Sequence, residues 1–312
     1  MNTRLILALV GPTAYGKSHL SLLLAELLGG EIVSADSRQI YKHLDIGTAK
    51  PSLDDRKRAP HHFIDILDPG DYYSAGQFGE DVRGVFHDVF SRGKVPILVG
   101  GSGLYVKAAI DGIFDGPGTD PEIRARLEEE LRTRGLESLL EELKKVDPDA
   151  LTKMKEITQR RVIRALEVFY TTGKPISRLH AEQTRVKDFR AVQVCLSWDR
   201  TDLYARINSR VDGMMAAGLV DEVRNLKKLG YDRHLNALNT VGYKEVFDHL
   251  EGTMDGLTMV ELIKRNTRRF AKRQLTWFRA DKRIREFPMS ADRDMVDVSK
   301  KVAAQYQRAA TK

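Results

Sequence analysis

The sequence predicts an α/β protein, a parallel sheet flanked by helices and interrupted by an all-helical insertion. Three observations predict it. Short apolar runs alternate with helical patterns through the N-terminal third of the chain. After Gly112 the strand signal disappears. It returns at Arg190–Trp198, read RAVQVCLSW.

The elements follow in order. Leu5–Val10 (LILALV) is continuously apolar and stops at Gly11, as suits a strand covered on both faces. Residues 17–28 follow as a helix ending at Gly29-Gly30. Glu31–Ala35 reads as a second strand leading to Asp36. Residues 37–60 are polar and broken by Gly47, Pro51 and Pro60, which predicts an irregular loop. Phe63–Leu67 is a further strand candidate, Ser74–Ser91 a helix, and Val95–Val99 a buried strand ending in Gly100-Gly101.

Gly116, Pro117 and Gly118 then make a linker. Asp120-Pro121 has the form of a helix start, an N-cap aspartate with proline in the first turn. Helical patterns at 121–133, 136–146 and 158–172 are separated by Gly135 and by Asp147-Pro148. Residues 119–188 are therefore read as the insertion, with 1–118 and 189–312 forming the core. The remainder is expected to be mostly helical, at 201–217, 219–229 and 258–280, with an edge strand at Arg283–Phe287.

Composition narrows the functional class. At 42% hydrophobic and 30% charged residues the chain is an ordinary globular one. The single cysteine, Cys195, excludes an internal disulfide framework and a CxxC-type zinc site. Leu5–Val10 is too short for a signal sequence or a membrane span, so a cytoplasmic protein without membrane contact is expected. The formal net charge is +7. Residues 261–290 hold ten basic side chains against three acidic ones, an excess that equals the whole chain's. A concentrated basic surface is the footprint of a polyanionic partner such as nucleic acid, although a merely solvated basic helix has the same composition. Within it, Arg265, Arg268, Arg269, Lys272 and Arg279 share one helical face, and Ile263, Phe270 and Trp277 another. Trp277 and Phe278 are expected to anchor the core.

The chemical signal is densest at residues 11–18: Gly11, Pro12, Thr13, Ala14, Tyr15, Gly16, Lys17 and Ser18. GPTAYGKS fits the phosphate-loop pattern G-x-x-x-x-G-K-[ST], in its required place between a strand and a helix. The glycines let the backbone wrap so that its N–H groups point at phosphate oxygens. The following helix adds the positive end of its dipole. Lys17 supplies a point charge, and the Ser18 hydroxyl is placed to ligate Mg²⁺. The motif specifies a di- or triphosphate and leaves the reaction open. No acid ends the strand Val95–Val99, where a kinase would hold Mg²⁺. Asp36, at the end of the second strand, is the nearest candidate, as a Mg²⁺ ligand, a general base or a loop cap.

Taken together these stretches resemble one family, the bacterial tRNA dimethylallyltransferases (tRNA isopentenyltransferases). The resemblance rests on GPTAYGKS at 11–18, SADSRQIY at 34–41, DIGTAKP at 45–51, PHHFIDILDP at 60–69 and YSAGQF at 73–78. It continues with ILVGGSGLY at 97–105, DPEIRARL at 120–127, QRRVIRALEV at 159–168, NTVGYKE at 239–245 and TRRFAKRQLTWFR at 267–279. Ser18 and Ser102 stand where threonine is common, so a hydroxyl is retained at both.

The resemblance implies a P-loop NTPase-like core with a helical insertion. It implies transfer of a dimethylallyl group from dimethylallyl diphosphate to N6 of the adenosine 3′ of the anticodon, tRNA position 37, with Mg²⁺ as cofactor. Asp36 is then the base, Thr13 a polar contact beside the reacting centre, and Lys17 with Arg210 the diphosphate grip. Arg206, one turn from Arg210, is the alternative. Contacts to the tRNA anticodon stem-loop are implied for Asp36, Ser37, Arg38, Gln39, Ser102 and Arg124. They are implied also for Gln159, Arg160, Arg161, Val162 and Ile163, and for Thr240, Val241, Gly242, Tyr243 and Lys244. Nothing demands more than a monomer. On sequence alone, a small-molecule kinase using ATP and a non-catalytic RNA-binding module remain as competing readings.

Overall fold

Residues 4–113, 116, 118, 120–182 and 188–311 are described by the computed structural model. Pro117 of the expected linker lies outside them. In chain order, β1 (Arg4–Val10), α1 (Lys17–Leu28), β2 (Gly30–Ser34), α2 (Leu53–Arg58) and β3 (His61–His62) come first. Then follow α3 (Ala75–Ser91), β4 (Val95–Gly100), α4 (Gly103–Asp111), α5 (Pro121–Val146), α6 (Pro148–Lys153), α7 (Gln159–Thr172) and α8 (Ile176–Glu182). The last group is β5 (Phe189–Ser197), α9 (Arg200–Ala216), α10 (Leu219–Lys228), α11 (Tyr243–Leu250), α12 (Gly256–Arg279), β6 (Arg285–Pro288) and α13 (Met295–Ala310).

The six strands form one parallel sheet in the order β3-β2-β4-β1-β5-β6. From Leu5 to Val10 every residue of β1 is buried, because helices cover both faces of the central strands. β1 and β4 are adjacent, and their chains leave toward opposite sides of the sheet. Such a point opens a crevice at the carboxyl ends of the strands.

Chain contacts divide the molecule into two units, Met1–Asp111 with Lys187–Lys312, and Gly112–Val186. The second has its own core, built from Leu127, Leu139, Leu143, Val162, Ile163, Ala165 and Leu166. Its first helix starts as the sequence predicts: the Asp120 carboxylate accepts from Glu122 N (3.0 Å) and Ile123 N (3.1 Å). Gly135 breaks it with φ 79° and ψ 176°. Asp147 is buried, caps α6 at Ala150 N and also accepts from Ser177 N (2.9 Å).

Three expectations need correction. The strand expected at Phe63–Leu67 is His61–His62, because Phe63 and Asp65 adopt left-handed φ values of 61° and 57° that end it. The loop 37–60 contains a helix, α2, begun by a Ser52–Asp55 capping box. Trp277 is not a core anchor: it is 47% exposed, whereas Phe278 is buried. The buried line of α12 runs through Met259, Ile263, Ala271, Gln274 and Phe278, which turns Phe270 and Trp277 outward. No described helix is long and apolar enough to cross a membrane.

Candidate active site

The loop Gly11–Gly16 joins the end of β1 to the start of α1. Gly16, the N-cap, takes φ 85°, and a side chain there would lie 2.8 Å from Met295 Cε. Ala14 takes φ 63°, a conformation a non-glycine residue holds only when its surroundings enforce it. They do. Arg206 Nε donates to Ala14 O (2.9 Å), and Trp198 Nε1 donates to Tyr15 O (3.2 Å). Lys17 Nζ donates to Pro12 O (2.6 Å). With these carbonyls held, the backbone N–H groups of residues 14–18 have no acceptor among the described residues. That is the polarity an anion requires, at the positive end of a helix.

Arg206 and Arg210 now separate. Both Arg206 contacts to Asp292 (2.7 and 2.8 Å) and its stacking over Trp198 (4.1 Å) fix it as a brace of the loop. Arg210 has no hydrogen bond or ion pair among the described residues. Burial lowers its pKa, and only the Asp36 charge opposes this. Burial and the neighbouring Arg210 charge bring Lys17 down to about 8. Two cations are thus held together in the cleft with too little negative charge to balance them.

Asp36 follows β2. Its Oδ1 accepts from Arg38 N (2.9 Å) and Gln39 N (3.4 Å), so the loop-capping role is real. Its Oδ2 has no partner among the described residues and remains available for chemistry. Ser102 Oγ accepts from Ser37 N (3.1 Å) and so joins the turn after β4 to the Asp36 loop.

A cleft of about 1120 Å³ gathers these groups: residues 13–18, 36–39 and 99–102, with Arg206, Arg210, Thr240–Gly242 and Lys244. Arg269, Phe270, Arg273 and Gln274 of α12 complete its wall. Gly11 and Pro12 are buried and do not line it. Ser18 is exposed and lines the cleft, and no cluster of three acidic, His or Cys ligands occurs among the described residues. A Mg²⁺ site here fits only with diphosphate oxygens and water as the remaining ligands, which is how this ion is usually held beside phosphates.

Several residues expected to touch RNA have other partners. Gln39 accepts from Ser34 Oγ (3.1 Å) and donates to Thr48 O and Ala49 O (3.3 and 3.1 Å). Tyr243 is fully buried, its hydroxyl donating to Glu222 (2.6 Å). In the helical unit, the side chains of Val162 and Ile163 belong to the core, which corrects the expected contact to the exposed Gln159, Arg160 and Arg161. Arg124 is held by Glu128 (3.1 Å) and lies 3.7 Å from the buried Glu167, to which Arg164 also donates (3.0 Å).

Sequence reasoning missed two supporting groups. Glu222 accepts from the backbone of Asp45, Ile46 and Gly47 (2.9, 2.7 and 3.1 Å), fixing the loop beside the cleft. On α10 it looks like any exposed acid, so no local signal marks it. Gln274 accepts from Thr13 N (3.0 Å) and donates to Gly101 O (2.8 Å). Its signal was present: a polar residue within the apolar line of α12.

Fold and cleft together define a class, a parallel α/β protein whose first strand–helix turn directs Lys17, and N–H groups unpaired among the described residues, toward a cleft shared with Arg210. The sequence profile of the IPP transferase family matches residues 39–281. The tRNA dimethylallyltransferase 1 of Trichlorobacter lovleyi is 48% identical over 277 residues, 88% of this chain and 91% of that one. A tRNA isopentenylpyrophosphate transferase from Bacillus halodurans has a similar structure, with TM-score 0.71 and 37% identity over 98% of this chain and 97% of its own. A eukaryotic dimethylallyltransferase acting on tRNA reaches TM-score 0.78 at 28% identity, over 98% of this chain and 77% of its own. The chain belongs to the IPP transferase family, and it is a prenyl transferase.

Proposed function

We propose that this protein transfers a dimethylallyl group from dimethylallyl diphosphate to N6 of the adenosine 3′ of a tRNA anticodon and releases diphosphate. The observation that carries the reading is the uncompensated pair Lys17 and Arg210, set beside a half-free Asp36 in one cleft.

Departure of the diphosphate develops negative charge on its oxygens. The N–H groups of residues 14–18, Lys17 and Arg210 meet that charge with donors already in place, so little reorganisation is needed. Mg²⁺, held by the Ser18 hydroxyl and diphosphate oxygens, would supply further countercharge. The C–O bond to the diphosphate breaks as the C–N bond forms, and Asp36 takes the proton from the exocyclic amine. Thr13 lies in the same wall and offers its hydroxyl beside the reacting centre. The adenine must be unstacked to enter the cleft. Ser37, Arg38, Ser102, Thr240 and Lys244 are the side chains proposed to meet the RNA at the cleft. Gln159–Arg161 and Arg124 are proposed to do so on the helical unit. The protein acts as a monomer in this reading.

A kinase is not favoured: β4 ends at Gly100 and is followed by Gly101, Ser102 and Gly103, with no acid to hold ATP-bound Mg²⁺. The test is incubation of unmodified tRNA with labelled dimethylallyl diphosphate, and separately with γ-labelled ATP. Label is expected on adenosine N6 from the first donor alone. Absence of label from dimethylallyl diphosphate would refute the reading.

A further inference from the structure

α12 turns two different faces to its surroundings. Arg265, Arg269, Lys272, Arg273 and Arg279 are exposed. The opposite line is apolar at Met259, Ile263, Ala271 and Phe278, with one interruption, Gln274, only 8% exposed. A buried amide is unfavourable unless its hydrogen bonds are made, and an apolar residue would fill the same space. What the amide adds must therefore lie in what it bonds.

It bonds the two turns that carry the site. Oε1 accepts from Thr13 N (3.0 Å), in the turn after β1. Nε2 donates to Gly101 O (2.8 Å), in the turn after β4. The gap holds nothing larger, since a side chain at Gly101 would lie 2.5 Å from Nε2. From Gly101 the connection continues through Ser102, whose hydroxyl accepts from Ser37 N, to the loop that Asp36 caps. One amide thus spans the distance between Thr13 with the diphosphate loop and the turn that supports the base.

We propose that Gln274 is a positioning residue for prenyl transfer, setting the spacing between the Thr13 turn and the Gly101–Ser102 turn, and thereby the distance from donor carbon to Asp36. The inference rests on the transferase reading above, in which Thr13 and Asp36 flank the reacting atoms. It also means that the helix offering cations to RNA is pinned, on its inner side, to the reaction loops.

Two variants test it in the full-length protein with tRNA and dimethylallyl diphosphate. Gln274→Met keeps the volume and removes both hydrogen bonds. A misplacement near 1 Å lowers rate on the order of 10²-fold, so kcat should fall by about 30- to 100-fold while KM for tRNA stays within about twofold. Gln274→Glu keeps an acceptor for Thr13 but sets a carboxylate against Gly101 O, unless it is protonated and donates. Its kcat relative to wild type should therefore rise by about tenfold as pH falls from about 8 to 6. Lys17, Asp36, Arg269 and Arg273 line the same cleft, and taking the ratio to wild type at each pH removes their common contribution.

A Gln274→Met enzyme with near-normal kcat would overturn the proposal. So would a loss explained wholly by a lowered melting temperature, or a flat Gln274→Glu ratio. Wild-type protein that transfers no label would instead overturn the transferase reading itself, which separates the two failures.

Discussion

Two regions of the core unit gather positive charge by opposite means. Around Lys17 the groups are few, half-buried and fixed by neighbours: Arg206 and Trp198 brace the loop, and Lys17 and Arg210 stand unbalanced. Along α12 the cations are many and exposed. The difference follows from dielectric. A half-buried charge acts strongly because little water screens it, while an exposed one is attenuated by water and salt within about 10 Å. Single substitutions should therefore be decisive in the first region and graded in the second.

The largest effect is expected at the base. Asp36→Asn keeps the Oδ1 cap and removes proton acceptance, so transfer should fall on the order of 10²- to 10⁴-fold with tRNA affinity nearly unchanged. Near-normal turnover, followed by product mass, would remove Asp36 from this role. Next comes Arg210→Gln. Loss of one preorganised donor to developing charge lowers kcat by about 10²- to 10³-fold, and steady-state kinetics at saturating donor measure it. The same change at Arg206 should act mainly on loop stability, read as a lower melting temperature. Equal kinetic losses at both positions would contradict the separation of the two arginines.

A smaller effect concerns pH. Lys17 in the free enzyme is brought down to about 8, chiefly by burial and then by Arg210. It carries its charge below that pH and loses it as pH rises through that value. Affinity for inorganic pyrophosphate, measured by calorimetry, should weaken above about pH 8 by up to roughly tenfold per unit. Lys17→Arg should show no such fall. The same depressed pKa makes folding without anion least favourable below about 8, a penalty relieved between there and the ordinary lysine value. Smallest per residue is the stripe. Arg265→Ala with Arg279→Ala should weaken tRNA binding severalfold and reduce the magnitude of the salt slope by about 1.4 to 1.8.

The sequence exposed the buried region far better than the exposed one. GPTAYGKS specifies a backbone path, because only certain residues tolerate it, and β1 is legible because burial on both faces leaves no polar position. The alternation at Asp120-Pro121 and Gly135 was readable for the same local reason. What stayed hidden depended on distant packing. Periodicity alone placed Trp277 with the core, but the inward line of α12 runs through Ile263, Ala271, Gln274 and Phe278, and the partners of Gln274, Thr13 and Gly101, lie far off in the chain. Val162 and Ile163 sit within a basic motif, yet they pack inward as the amphipathic period of their helix requires. Phe63 and Asp65 end a strand through left-handed backbone that their residue types do not announce. Glu222 works across 175 to 177 residues of chain, out of reach of any short motif.

The division between the two regions is tested most directly by combining Arg210→Gln with the pair Arg265→Ala and Arg279→Ala, and measuring kcat/KM for tRNA prenylation in all combinations. Independent sites predict that the changes in activation free energy add to within about 0.5 kcal/mol. A coupling above about 1 kcal/mol would show that the diphosphate grip and the basic helix act as one site, and would contradict the account.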